Sequence, residues 1–150
     1  MKIEKISDIY EVLKGYTRKK RLVVAFANDS HSIEAVYMAV KAGLVEGILV
    51  GDTETIQGVC KENGYDESCF KIVHEPNDVR GAETAVEMIR NGEADVIMKG
   101  LVSTDKYMRA ILNKERGLVA PNAILSHVTV MECSSYHKLL TVSDVAVIPC

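Results

Sequence analysis

Asp95-Val96-Ile97-Met98-Lys99-Gly100-Leu101-Val102-Ser103-Thr104-Asp105-Lys106-Tyr107-Met108-Arg109-Ala110-Ile111-Leu112-Asn113-Lys114-Glu115-Arg116-Gly117 decides how this chain is read. Val96–Met98 is a short apolar run, the mark of a buried strand. Gly100 turns the chain. Ser103 and Thr104 then offer side-chain oxygens where a helix begins, and that helix runs from about Thr104 to Lys114. Arg109 sits inside it, about one turn past the hydroxyls. A strand, a glycine turn and a hydroxyl-capped helix place backbone N–H groups, hydroxyls and one guanidinium together, which is the chemistry of an anion pocket. Asp105, in the first turn, adds opposing charge. No GxxxxGK[ST] sequence occurs, because Lys99 precedes its glycine, so this is not a nucleotide-binding P-loop.

The same alternation extends toward the N-terminus. Leu22–Ala27 is a strand candidate, followed by a helix from Ser32 to about Gly43 with Ile33, Val36, Tyr37 and Val40 on one face. Gly47–Val50 is a second strand, and Thr53 caps a helix that stops at Gly64. Lys71–His74 is a third strand. After Pro76, Asp78 caps a helix to Arg90 that turns Ala82, Ala85, Val86 and Ile89 to one side. Beyond the deciding stretch, Ala123–Met131 and Asp144–Ile148 read as further strands. Repeated strand–helix units predict a mostly parallel sheet covered by helices, an α/β layer fold. Ligands in such sheets lie past the carboxyl ends of the strands. The polar segments Asn28–His31, Gly51–Thr53, His74–Glu75 and Lys99–Thr104 fall there.

With 150 residues, 47% of them apolar and 26% charged, the chain has the size and composition of one globular domain. A net charge of −3 with no long basic block argues against a nucleic-acid partner. Arg18-Lys19-Lys20-Arg21 is the one basic run, expected as a solvated loop or as a contact for cofactor phosphates. No apolar run is long enough for a membrane span, and Met1–Asp8 lacks the apolar core of a signal peptide, so a cytoplasmic protein is expected. The four cysteines form no CxxC pair and are expected as reduced thiols. His127, Glu132 and His137 match no metal-ligand spacing. No GxGxxG follows the first strand, so a dinucleotide fingerprint is absent. Ser126 and His127 are neighbours in sequence, and adjacent residues of an extended strand point to opposite faces, so they are not expected to form a catalytic pair.

Several segments, in order along nearly the whole chain, resemble the phosphate acetyltransferase/phosphate butyryltransferase family, and its butyryl branch more closely. They are Ile33-Glu34-Ala35-Val36, Gly47–Asp52, Met98–Thr104, Arg109–Gly117, and Leu125-Ser126-His127-Val128 continuing through Tyr136–Leu140. The resemblance implies a three-layer α/β/α fold like that of isocitrate and isopropylmalate dehydrogenases. It implies reversible acyl transfer: acyl-CoA plus phosphate gives acyl phosphate plus CoA, by direct attack of the CoA thiolate. Arginine and hydroxyl groups hold the phosphate in that chemistry, with no metal and no redox cofactor; coenzyme A is a substrate. Carried over by position, Arg109 and Ser103 are the catalytic candidates. Lys99, Gly100, Thr104 and Ser126 are the substrate-binding candidates. The substrates are small molecules, and a homodimer is implied. Family members continue into a second lobe, which the chain lacks, so residues 1–150 are expected to be a first lobe that is inactive alone. A non-catalytic module that binds acyl phosphate or CoA is the alternative. A decarboxylating dehydrogenase is disfavoured, because Asp29, Asp52, Asp78 and Asp95 are too dispersed to form its metal site.

Overall fold

The computed structural model describes residues 2–144 and divides the chain into two compact units, Arg18–Leu118 and a second one combining the segments on either side of it. The larger unit is a three-layer α/β/α sandwich. Its sheet contains β1 (Lys20–Ala25), β2 (Val45–Gly51), β3 (Phe70–His74) and β4 (Val96–Lys99) in the order β3-β2-β1-β4, with every pairing parallel. The mostly parallel sheet read from the sequence is the one observed.

Period-two alternation builds the two cores. Val24 and Leu49 point to one face, where Ile33 and Val36 of α2 (Ser30–Lys41) and Ile56 and Cys60 of α3 (Thr53–Asn63) cover them. Val23, Ala25, Ile48 and Val50 point to the other face, beneath Ala82, Ala85 and Val86 of α4 (Asp78–Arg90) and Ala110 of α5 (Thr104–Leu112). β1 and β2 are therefore buried on both faces, which is why they read as unbroken apolar runs.

Helix starts fall one to three residues earlier than the sequence reading placed them. The caps are Asp29, Asp52 and Asn77 rather than Ser32, Thr53 and Asp78. Each accepts an N–H from the first turn, as Asp29 does from Ser32 at 2.8 Å. A carboxylate or amide one residue outside the helix has the reach for that bond, so it takes the cap when both residue types are adjacent. Of the two hydroxyl candidates at the start of α5, Ser103 is the cap and Thr104 the first helical residue.

The basic run does not remain a loop. Lys20 and Arg21 open β1, and Arg21 grips Asp95 with Nε at 3.0 Å and an Nη at 3.2 Å, while its own N–H donates to the same carboxylate at 2.9 Å. These bonds hold the Asp95 carboxyl far below the usual carboxylate range. A depressed acid stabilises the fold above its unfolded pKa of about 4 and loses that contribution as pH falls toward its folded value. Thermal melts should therefore show wild type above Asp95→Asn at pH 7, with the gap narrowing steadily below about pH 4. A gap independent of pH would remove the ion pair as its cause.

The smaller unit carries α1 (Ile6–Lys14) and an antiparallel pair, β5 (Val128–Met131) with β6 (Leu140–Ser143). Glu132 accepts the Ile6 N–H at 2.8 Å, tying the start of α1 to the end of β5. The sequence reading omitted α1, although Ile6, Ile9, Tyr10 and Leu13 have helical spacing. It also drew the strand at Ala123–Met131 too long. Strand β5 begins only at Val128, which pairs with Ser143, the last residue of β6. The strand expected at Asp144–Ile148 lies almost wholly outside the described residues. Among the described residues, no helix is long and apolar enough to cross a membrane.

Candidate functional site

In the larger unit the chain runs β1, β2, β3 outward, then returns to place β4 on the other side of β1. The order reverses between β1 and β4, and a crevice opens at the carboxyl ends of two such strands. The loops that line it are Phe26–Asp29 after β1 and Gly100–Ser103 after β4. Backbone bonds sew them together: the Gly100 N–H donates to the Ala25 carbonyl at 3.0 Å and the Leu101 N–H to the Phe26 carbonyl at 2.8 Å.

Gly100 is what allows this approach. A Cβ there would lie 2.8 Å from the Ala25 carbonyl oxygen and closer still to that of Phe26. Phe26 itself holds φ +63°, a left-handed backbone that an aromatic residue seldom adopts. Strain of this kind persists only where surrounding packing enforces it. Here Phe26 packs against the α4–α5 core.

Ser103 caps α5 by accepting the Lys106 N–H at 3.3 Å, which leaves its hydroxyl proton free to donate outward. Thr104, next in line, is exposed. The first N–H groups of any helix lack intrahelical acceptors, so this helix start offers donors to an anion. Lys99, at the end of β4, is exposed, and its Nζ lies 3.5 Å from the Gly100 carbonyl. Lys99, Gly100, Ser103 and Thr104 thus stand on one continuous loop and helix start, as the sequence predicted.

Arg109 takes a different position. Its Nε donates to Asp105 at 3.2 Å, and the second carboxylate oxygen is 3.1 Å away. Four residues along a helix share a face, whereas Ser103 is about 240° around the axis from Arg109. The guanidinium does reach back toward the helix start, but it stops at Asp105. There it lines a groove of about 810 Å³ between α4 and α5, with Arg80, Arg90, Lys106 and Arg116. Lys106 bridges the same helices through Asp78 at 2.6 Å and holds that carboxyl below its ordinary range. The Arg109 side chain is 79% exposed, so it can exchange Asp105 for another anion.

The other polar segments share the carboxyl edge of the sheet, as expected. Asn28 accepts the Asp52 N–H at 2.9 Å, and His74 Nδ1 lies 3.0 Å from Thr53 Oγ1 and 3.3 Å from its N–H. That N–H can only donate, so Nδ1 is an acceptor and the proton of the neutral ring is on Nε2.

Ser126 belongs to the smaller unit. Its Oγ donates to Asp144 Oδ1 at 2.7 Å, while the neighbouring His127 ring turns to Thr129 Oγ1 at 3.3 Å. Serine and histidine do not pair, in line with the sequence reading. Asp144 is the residue that reading missed: its partnership with Ser126 spans 18 positions, and no local motif marks it.

Comparison with known proteins places this geometry in context. A family model described as "Phosphate acetyl/butaryl transferase" matches residues 80–150. The chain is 41% identical over 144 residues to a phosphate butyryltransferase of Clostridium acetobutylicum, covering 96% of this chain and 47% of that protein. It is 33% identical over 139 residues to a phosphate acetyltransferase of Thermotoga maritima, covering 93% and 46%. The chain therefore spans about half the length of the curated relatives it matches. Among solved structures, a phosphotransacetylase from Streptococcus pyogenes has the same fold over 91% of this chain and 50% of its own, with a TM-score of 0.68 at 18% identity. A branched-chain phosphotransacylase from Enterococcus faecalis superposes with a TM-score of 0.64 at 22% identity, over 85% and 43%.

Proposed function

Because the chain belongs to the phosphate acetyl/butyryl transferase family, we propose that it forms the first lobe of a two-lobed enzyme that moves an acyl group reversibly between CoA and phosphate. Butyryl-CoA or acetyl-CoA plus phosphate gives acyl phosphate plus CoA. In the direction of acyl-CoA synthesis, the CoA thiolate attacks the carbonyl carbon of the acyl phosphate, a C–S bond forms, the C–O bond breaks, and phosphate leaves with the electron pair. The carbonyl oxygen and the departing phosphate both gain negative charge on the way.

The observation that carries this reading is the Lys99–Thr104 loop at the strand switch point. A fixed set of donors aimed at developing charge is what electrostatic catalysis requires. The Ser103 hydroxyl donates to phosphate, and the exposed N–H groups at the start of α5 do the same. Thr104 adds a second hydroxyl and Lys99 a point charge. Gly100 lets the loop close on β1. Arg109 leaves Asp105 for the phosphate and supplies a two-pronged guanidinium. Such chemistry runs without a metal or redox cofactor. The substrates are small molecules, and the enzyme is a cytoplasmic homodimer.

The test is Ser103→Ala in the two-lobed protein. Loss of one hydroxyl donor to a charged oxygen should raise the KM for phosphate about tenfold while the KM for CoA stays within about twofold. An unchanged phosphate KM would remove the loop from the site. Phosphate-dependent stabilisation with no turnover in wild type would instead favour a binding module.

A further inference from the structure

The Ser126–Asp144 pair restricts what Ser126 can bind. Asp144 closes the β5–β6 pair: its N–H donates to the His127 carbonyl at 2.7 Å, and its Oδ1 receives the His127 N–H at 3.3 Å and the Ser126 hydroxyl at 2.7 Å. The backbone at Asp144 is left-handed, φ +57°, which aspartate tolerates better than most residues. The bonds from Ser126 and His127 hold its carboxyl below the ordinary range, so it is ionised at neutral pH.

A serine hydroxyl has one proton and two lone pairs. Here the proton is committed to a carboxylate, in a short bond assisted by full negative charge. What the exposed Ser126 oxygen offers outward is therefore lone pairs, and a partner must bring a hydrogen. This separates the two substrates of the reaction proposed above, on which the inference rests. An acyl phosphate at neutral pH carries acceptor oxygens and no donor. CoA carries amide N–H groups and a thiol S–H on one arm.

We infer that Ser126, oriented by Asp144, binds the thiol-bearing arm of CoA by accepting a hydrogen bond from its N–H or S–H, and does not bind the acyl phosphate. Ser126 is thereby a CoA-specificity residue and Asp144 its positioning residue. The assignment is opposite in polarity to Ser103, whose proton is free.

The test compares wild type, Ser126→Ala and Asp144→Asn in the two-lobed protein, with KM measured separately for CoA and for acyl phosphate. Asparagine accepts the left-handed backbone, removes the charge and keeps one acceptor oxygen for the Ser126 hydroxyl. Ser126→Ala should raise the KM for CoA about five- to tenfold and leave that for acyl phosphate within about twofold. Asp144→Asn should raise the CoA KM in the same direction by about two- to fivefold, at a melting temperature close to wild type. Desulfo-CoA, as a competitive inhibitor, separates the donors: weaker inhibition of Ser126→Ala assigns the amide, and unchanged inhibition assigns the thiol. A rise in the acyl phosphate KM, or no change in either KM, would overturn the inference while leaving the acyl-transfer reading intact. A wild-type protein with no phosphate-dependent turnover would overturn that reading first.

Discussion

Gly100→Ala is expected to lower the melting temperature of the Arg18–Leu118 unit by about 10 °C or more. The added methyl would lie 2.8 Å from the Ala25 carbonyl oxygen and overlap that of Phe26. Those atoms belong to the central strand and the turn after it, so they cannot move as a flexible side chain would. Relief would require the β4 loop to retreat and to give up the Gly100–Ala25 and Leu101–Phe26 hydrogen bonds. Overpacking alone costs about 1–3 kcal/mol, and two lost backbone bonds add to it. In a unit of roughly 100 residues, each 1 kcal/mol moves the midpoint by about 4–8 °C. Gly58 in α3 is the control. A Cβ there meets nothing within 4 Å, so Gly58→Ala should hold or raise the midpoint, as replacing glycine within a helix generally does. Equal melting temperatures for Gly100→Ala and wild type would mean that the loop does not close on β1 as described.

Arg109→Lys in the two-lobed protein should reduce the phosphate-dependent rate by about tenfold or more, equivalent to about 1.4 kcal/mol of transition-state stabilisation. The Arg109–Asp105 pair is exposed, so the guanidinium can leave Asp105 and present its two-pronged edge to phosphate. Lysine keeps the charge and loses the fork. Its single ammonium can meet either Asp105 or a phosphate oxygen but cannot copy two parallel bonds. Because the Arg109–Asp105 pair is exposed, the substitution should leave the melting temperature nearly unchanged, which separates a functional loss from a folding defect. Turnover close to wild type would remove Arg109 from the site.

The parts of this molecule that were legible in its sequence are those governed by local pattern. The apolar runs Val23–Ala25 and Ile48–Val50 mark strands buried on both faces, because no polar residue interrupts them. A hydroxyl cap at Ser103 or Thr104, and the loop that leads to it from Lys99 and Gly100, follow from neighbouring residues alone, while the structure decides for Ser103. What depends on distant partners was not legible. Nothing near Asp95 announces that Arg21, 74 positions earlier, will bind it. Asp144 likewise gives no local sign of its bond to Ser126. The direction of Arg109 follows from helix geometry, since position 105 shares its face and position 103 does not. The strand expected at Ala123–Met131 is paired only from Val128 onward, because apolar composition marks a strand without fixing where its pairing begins.

The most direct test of the central claim is release of CoA thiol from butyryl-CoA by the two-lobed protein, measured with and without inorganic phosphate. Acyl transfer to phosphate predicts release that requires phosphate, saturates with it, and yields one acyl phosphate for each thiol. Release at the same rate without phosphate, or none at any phosphate concentration, would contradict the assignment of the Lys99–Thr104 loop as a phosphate site in an acyltransferase.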